Sequence, residues 1–432
     1  MHRHTLFSAL LLAGLATAAA ADPTPRTAAT DAWPQWGGPA RDFTAAAGEL
    51  ATAWPEGGPK ELWQRQLGDD GYSGIVAASG RLYTMFRRGE DEVVVAIDAA
   101  NGETVWEQAR PLPLPAEEMR LDFGPGPMST PAIAGGLLIT IGALQNVTAS
   151  NLQSGEIVWS HDLMEEMDAP LMPRGYGASP LIWRDLVILT PGCQREAEGG
   201  GAVVAFRQSD GELAWKSAEC FRPSYSSPIL AEVDGEEQVM VAMGLDRAGF
   251  DPATGSLAWH LALGDDAVTT MSTQLWDGRI LFGSSAYADG SRGIRVSRRD
   301  DGTFAAEEVW YTRKMRVQHT TAVRIGDHVY GSSGDFGPAF LAAVDVATGE
   351  LAFRQRGFAK ANLLVAGDKV IVLDEEGELA IGTPSPEGIE IHARAKVLER
   401  LSWTVPTLVG TRLYVRDRRQ MKAFELGSQE GG

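Results

Sequence analysis

Cysteine is scarce: this chain of 432 residues has two, Cys193 and Cys220. Neither sits in a C-x-x-C-H context, so covalent haem attachment is excluded. Neither lies near the N-terminus, so a bacterial lipid anchor is not expected. Positive charge is also short. Thirty-eight Lys and Arg stand against 57 Asp and Glu, a net charge of −19. Nucleic acid is therefore not an expected partner, because binding it needs a basic stripe. The acidity favours a soluble chain. After residue 22 no apolar run is long enough to cross a bilayer, and no membrane insertion is expected. Long amphipathic helical stretches are missing too, while helix breakers abound, with 49 Gly and 23 Pro. That combination favours an all-β chain. Catalytic signatures are lacking. His161, His260, His319, His328 and His392 show no metal-ligand spacing, so no metal is assigned, and there is no G-x-S-x-G and no phosphate loop.

The chain opens with "MHRHTLFSALLLAGLATAAAAD". A basic start, an apolar run from Leu6 to Leu15 and a small-residue end make a secretory leader over residues 1–21. The mature chain is then exported, and an exported cysteine pair is expected to form a disulfide, Cys193 to Cys220.

One phrase recurs along the chain. It reads "AIDAANGETVW" (96–106), "ASNLQSGEIVW" (149–159), "AFRQSDGELAW" (205–215), "GFDPATGSLAW" (249–259) and "AVDVATGELAF" (343–353). A stretched copy ends at Trp310, a worn one covers 380–391, and a lone tail stands at Trp63. The copies return about every 40–55 residues, the length of a four-stranded propeller blade. Upstream of each lies a short apolar run, a Gly/Asp turn and a second alternating run, as in "STPAIAGGLLITI" (129–141). That is a hairpin, strands A and B of a blade, and the phrase supplies strands C and D. Asp98 can accept N–H groups of its own turn, and Gly102 supplies a backbone conformation closed to most residues. Trp63, Trp106, Trp159, Trp215, Trp259, Trp310 and Phe353 then fill the wedges between blades, as structural residues.

Eight hairpins are counted. The last, Thr404 to Leu426, lacks a tryptophan tail, and the first tail, "KELWQRQL" (60–67), lacks a hairpin. The two ends are expected to share one blade, which closes an eight-bladed ring and removes exposed sheet edges. The expected organisation is a leader (1–21), an extended brace across the propeller surface (22–59), the propeller (60–426) and a short tail (427–432).

The phrase resembles the tryptophan-docking repeat of pyrroloquinoline-quinone-type (PQQ-like) β-propellers, over about residues 60 to 426. The opening "WPQWGGPARDF" (33–43) resembles the start of secreted proteins with these repeats. The resemblance implies one of two occupations. One is quinoprotein dehydrogenase, with PQQ and usually Ca2+ held above the central channel. The other is non-catalytic scaffolding, as in the propeller subunit of the outer-membrane β-barrel assembly machine. The dehydrogenases commonly carry adjacent cysteines over the quinone, whereas Cys193 and Cys220 are far apart in sequence. No Glu, Asn and Asp set for calcium stands out on separate blades.

The loops from strand D of one blade to strand A of the next share a face with the B–C loops, and ligands approach propellers there. Four D–A connections place an arginine six residues before the same strand position: Arg174, Arg222, Arg316 and Arg400. Three residues before that position stand Tyr225, His319 and Trp403, with Tyr72 in the first blade, and the seventh blade offers Lys360. Gathered at the channel mouth, four guanidiniums would suit a carboxylate or phosphate. Alternatively, each arginine bonds its own loop. The long connections 110–128 and 161–177 mix acids with exposed-looking Met, Leu and Phe, which suits a protein or peptide partner.

The sequence thus predicts a periplasmic, soluble, monomeric eight-bladed propeller that scaffolds or binds a partner, with envelope-protein assembly as the inferred setting. No catalytic residue and no cofactor are expected under that reading. A PQQ-dependent dehydrogenase of alcohols or sugars and a small-anion-binding module are the alternatives.

Overall fold

A computed structural model describes residues 32–194, 200–264, 270–287, 289–334 and 337–428. The expected leader and the first part of the expected brace lie outside the described residues, as does most of the tail.

Eight four-stranded blades follow one another around a ring, and one of them, blade 7, gains a short fifth strand. Blade 1 runs Val76–Ala78, Arg81–Arg88, Asp91–Asp98 and Thr104–Pro111. Each further blade repeats this antiparallel meander, down to blade 7 at Ala361–Ala366, Lys369–Asp374, Glu378–Ser385 and Gly388–Lys396. Among the described residues one helix occurs, the single turn Leu163–Met167. Blade 8 is composite, as the sequence requires. Its inner strands are Thr407–Val409, Arg412–Arg416 and Gln420–Glu425, and Lys60–Gln66 pairs antiparallel with the last of these. The closure is reinforced near the mouth by Arg418, whose Nε donates to Asp70 Oδ1 at 2.9 Å. Arg416, fully buried, donates to the Met85 carbonyl at 2.7 Å and the Gly71 carbonyl at 2.9 Å, tying blade 8 to blade 1.

The repeated phrase builds the joints between blades. Trp159 of blade 2 donates its indole N–H to the Gln208 carbonyl in blade 3, at 2.7 Å. Trp63, Trp106, Trp215 and Trp310 make the same bond to Ala99, Leu152, Pro252 and Val346, at 2.9–3.2 Å. Each acceptor follows the first turn residue of the next blade's phrase. The ring of Trp159 also lies flat against the turn glycine of that phrase, so a Cβ on Gly211 would stand 2.7 Å from it. The glycine is thus required twice, for its φ of +74° and for the space it leaves. Trp259 departs from the pattern. Facing the stretched phrase of blade 5, it bonds Gln238 Oε1 of its own blade at 2.7 Å. Phe353 has no N–H to give and packs against Tyr330, with centroids 5.9 Å apart.

The N-terminal segment runs across the propeller surface only in its later part, where Leu50 bridges Gly427 and Ala51 N–H donates to the Leu426 carbonyl at 2.7 Å. Residues 33–45 form a loop pushed into the central channel. Trp33 exchanges two backbone hydrogen bonds of 2.8 Å with Ala77, on the innermost strand of blade 1. Pro34 accepts from Ile133 of blade 2 at 2.7 Å. Trp36 donates to Thr273 Oγ1 beside blade 5 at 2.9 Å. Gly37 and Gly38, with φ of +74° and +78°, turn the chain around. Arg41 then donates to the Pro180 carbonyl of blade 3 at 2.8 Å and the Pro228 carbonyl of blade 4 at 2.9 Å. Finally Thr44 and Ala45 add a short parallel strand to Val365 and Ala366 of blade 7. The physical reason is supply and demand. Innermost strands present unpaired backbone groups to the channel, and a segment rich in Trp, Phe and Arg can satisfy and fill it. Phe43 is wholly buried, in a cluster with Val323, Val365 and Val405 from three blades.

Candidate functional site

The loop tip at Trp36 forms the floor of a small cavity at the channel mouth, on the face of the D–A loops. The cavity has a volume of about 130 Å3 and a mainly apolar lining, including Trp36, Tyr72, Phe123, Tyr225, His319 and Trp403. Of the positions aligned three residues before strand A, all four therefore meet here. The rings are ordered. Trp403 stacks on Tyr72, with centroids 5.4 Å apart, and on His319 at 4.9 Å. Phe123 meets Trp403 edge-on at 5.2 Å. The Trp403 indole N–H donates to Glu375 Oε2 at 2.8 Å, and Lys360 lies 3.5 Å from the same oxygen and 5.6 Å from the Trp403 ring centre. Tyr72 donates its hydroxyl to the Phe123 carbonyl at 2.5 Å, which holds the long loop over the mouth.

Burial sets the charge state of this ring cluster. His319 is pushed down to about 4 from an ordinary 6.5, first by burial and then by the positive Lys360 and Arg174. It is neutral at pH 7. Tyr72, Tyr225 and Tyr176 are raised by burial and stay protonated.

The four aligned arginines do not converge. Arg174 alone lines the mouth cavity, where it pairs with Asp122 at 3.0 Å and lies over the Phe123 ring at 5.2 Å. Arg222 is exposed and lines a second cavity of about 520 Å3 next door. Arg400 points outward to Glu376 at 2.9 Å. Arg316 is half-buried and lines neither cavity, and its backbone N–H donates to Ser333 Oγ at 2.9 Å. Equal sequence spacing fixed where each loop begins, but each loop then takes its own path, and the long side chains follow different partners.

The second cavity is continuous with the first. Arg174, Tyr225, Met271 and Tyr287 form walls of both. Its cations are Arg120, Arg174 and Arg222. Among the described residues no carboxylate pairs with Arg120 or Arg222. The disulfide Cys193–Cys220 is formed, with Cα atoms 5.5 Å apart, and fixes the loop that carries one wall.

The long loops are less open than their composition suggested. Met119, Leu163 and Met172 are buried, because the two loops pack on each other and on the blades, joined by Arg120 N–H to the Pro173 carbonyl at 2.6 Å. Trp36, Phe123 and Arg120 were missed by sequence reasoning. The doubled tryptophan in "WPQW" was the available signal for the first.

The described residues at the mouth lack the cation cage that a quinone site of this fold family would need. The floor is the chain's own Trp36, and the flat ring at the mouth already stacks on Tyr72 and His319. Among the described residues no group of three or more His, Cys, Asp or Glu could hold a cation.

Comparison with known proteins gives a consistent setting. A family model described as outer membrane protein assembly factor BamB matches residues 90–354. The outer membrane protein assembly factor BamB of Shewanella oneidensis is 24% identical, over 79% of this chain and 82% of that protein. The crystal structure of BamB from Moraxella catarrhalis superposes with a TM-score of 0.60 at 17% identity, covering 85% of this chain and 99% of that one. The quinohemoprotein alcohol dehydrogenase of Comamonas testosteroni shares the fold, with a TM-score of 0.64 at 13% identity, covering 94% and 82%.

Proposed function

This chain belongs to the BamB family of PQQ-like propellers, and from that premise we propose that it is a non-catalytic scaffold of the bacterial periplasm serving outer-membrane protein assembly. Its partner is a protein, received on the face of the D–A loops. The observation that supports this most is the inserted N-terminal loop. It runs along the axis from blade 1 to blade 7 and leaves at the mouth a small aromatic cavity, bordered by a long loop that the Tyr72 hydroxyl holds in place. Rigid loops around a shallow aromatic depression suit capture of a protein side chain better than turnover of a buried cofactor. The leader over residues 1–21 supports export, and the cysteine pair suits an oxidising compartment.

The test has two arms. Deleting the gene is expected to lower the amount of folded β-barrel protein in the outer membrane of the source bacterium, and complementation should restore it. Unchanged levels would overturn the reading. Purified protein incubated with PQQ and Ca2+ is expected to show no dye-linked oxidation of alcohols or sugars. Turnover there would instead establish the dehydrogenase.

A further inference from the structure

The mouth cavity and the cationic cavity beside it share walls, and their chemistries differ. The first is apolar and ring-sized. The second carries Arg120, Arg174 and Arg222, three guanidiniums on a protein of net charge −19. Arg174 stands between them and pairs with the exposed Asp122 at 3.0 Å. Its Nε is buried without a partner. A ligand that filled only one cavity would leave either the apolar walls or the cations unused.

We propose that the two cavities form one composite site for a peptide segment of the partner, in which an aromatic side chain enters the mouth above Trp36 and a neighbouring carboxylate meets Arg120, Arg174 and Arg222. The inference rests on the scaffold reading above and assigns its recognition chemistry. Size suits the ring: a mouth cavity of about 130 Å3 matches a benzene-sized group. Charge selects the neighbour: Arg120 and Arg222, which have no ion-pair partner among the described residues, can pair with a carboxylate in two parallel hydrogen bonds. The net charge of −19 disfavours an acidic segment on the surface at large, so the charge also helps set the register. Aromatic and arginine contacts in a rigid depression are the usual anchors of protein interfaces.

The probe is a short capped peptide with phenylalanine next to aspartate, titrated calorimetrically against the full chain. Controls replace the phenylalanine by alanine or the aspartate by asparagine. Each replacement is expected to weaken binding about tenfold or more. Phe123→Ala should erase the penalty for the alanine peptide and leave that for asparagine. The variants R120A and R222A, at side chains with no ion-pair partner among the described residues, should do the reverse. Equal binding of all three peptides, or none at millimolar concentration, overturns the proposal, and so does tighter competition by PQQ than by the peptide. The scaffold reading fails separately. Normal assembly in a strain carrying the R120A and R222A variants, with peptide binding lost, sinks the composite site alone. Lost peptide dependence is not needed for the gene deletion to answer the other question.

Discussion

Substituting Gly211 by alanine isolates what the inter-blade joint contributes. Gly211 has φ +74°, and Gly80, in the hairpin turn of blade 1, has φ +75°. The backbone strain of a Cβ is therefore nearly the same at both, about 1–2 kcal/mol. Their surroundings differ. Nothing lies within 4 Å of a Cβ at Gly80, whereas one at Gly211 meets the Trp159 ring at 2.7 Å. The indole must tilt away. That breaks its 2.7 Å bond to the Gln208 carbonyl, a loss of about 1 kcal/mol. Uncovering about a third of the ring costs roughly 1–2 kcal/mol more. Gly80→Ala is expected to cost about 1–2 kcal/mol and Gly211→Ala about 3–5 kcal/mol. Urea titration followed by far-ultraviolet circular dichroism measures both. Hydrogen exchange should localise the extra loss to blades 2 and 3, since repeat units lean on their neighbours. Equal destabilisation of the two variants would refute the joint as a source of stability.

Other expectations follow from the same geometry. Arg41→Ala removes the two carbonyl contacts that pin the inserted loop, and limited proteolysis should then cleave within residues 33–59 at least tenfold faster, with the blades intact; unchanged cleavage would show the loop to be held elsewhere. Reduction of Cys193–Cys220, which closes a 27-residue separation, should lower stability by about 2–4 kcal/mol, read as a shift of the urea midpoint with reductant. For His319 the folded pKa of about 4 lies below the ordinary 6.5, so the unfolded chain binds the proton first. Its contribution is complete above about 6.5 and is lost as pH falls towards 4. His319→Gln should accordingly flatten the fall in urea midpoint across that window, and an equally steep fall would place the acid sensitivity in other groups.

How much of this was legible depends on where the contacts lie along the chain. The blades were readable because each is local: Asp98, Gly102 and Trp106 sit within one phrase, and its repetition averages out exceptions. The composite blade was readable from bookkeeping, since "KELW" had no hairpin and Thr404 to Leu426 had no tail. The inserted loop was not. Its partners, from Ala77 to Val365, lie in six different blades, and a single extended segment carries no period to betray what it covers. The mouth was half readable. Tyr72, Tyr225, His319 and Trp403 share a register next to a strand, so their positions are fixed by the sheet. Arg222, Arg316 and Arg400 stand three residues further into irregular loops, where spacing no longer determines direction.

The composite blade and the inserted loop together impose an order of events on biosynthesis. Lys60 cannot find Glu425, nor Thr44 find Val365, until nearly the whole chain has emerged. Glu61 and Lys422, an ion pair in the finished ring, are 361 residues apart. The earliest residues made are thus the last to be placed, and every intermediate is an open arc with two raw sheet ends and a hollow axis. A slow, late closing step follows from so long a loop. Until it occurs the arc is adhesive towards other chains. The growing chain must therefore be sheltered until Gln420–Glu425 arrives, and a chain lacking Lys60–Gln66 or Gln420–Glu425 is expected to persist as an unclosed, aggregating arc and not as a smaller propeller.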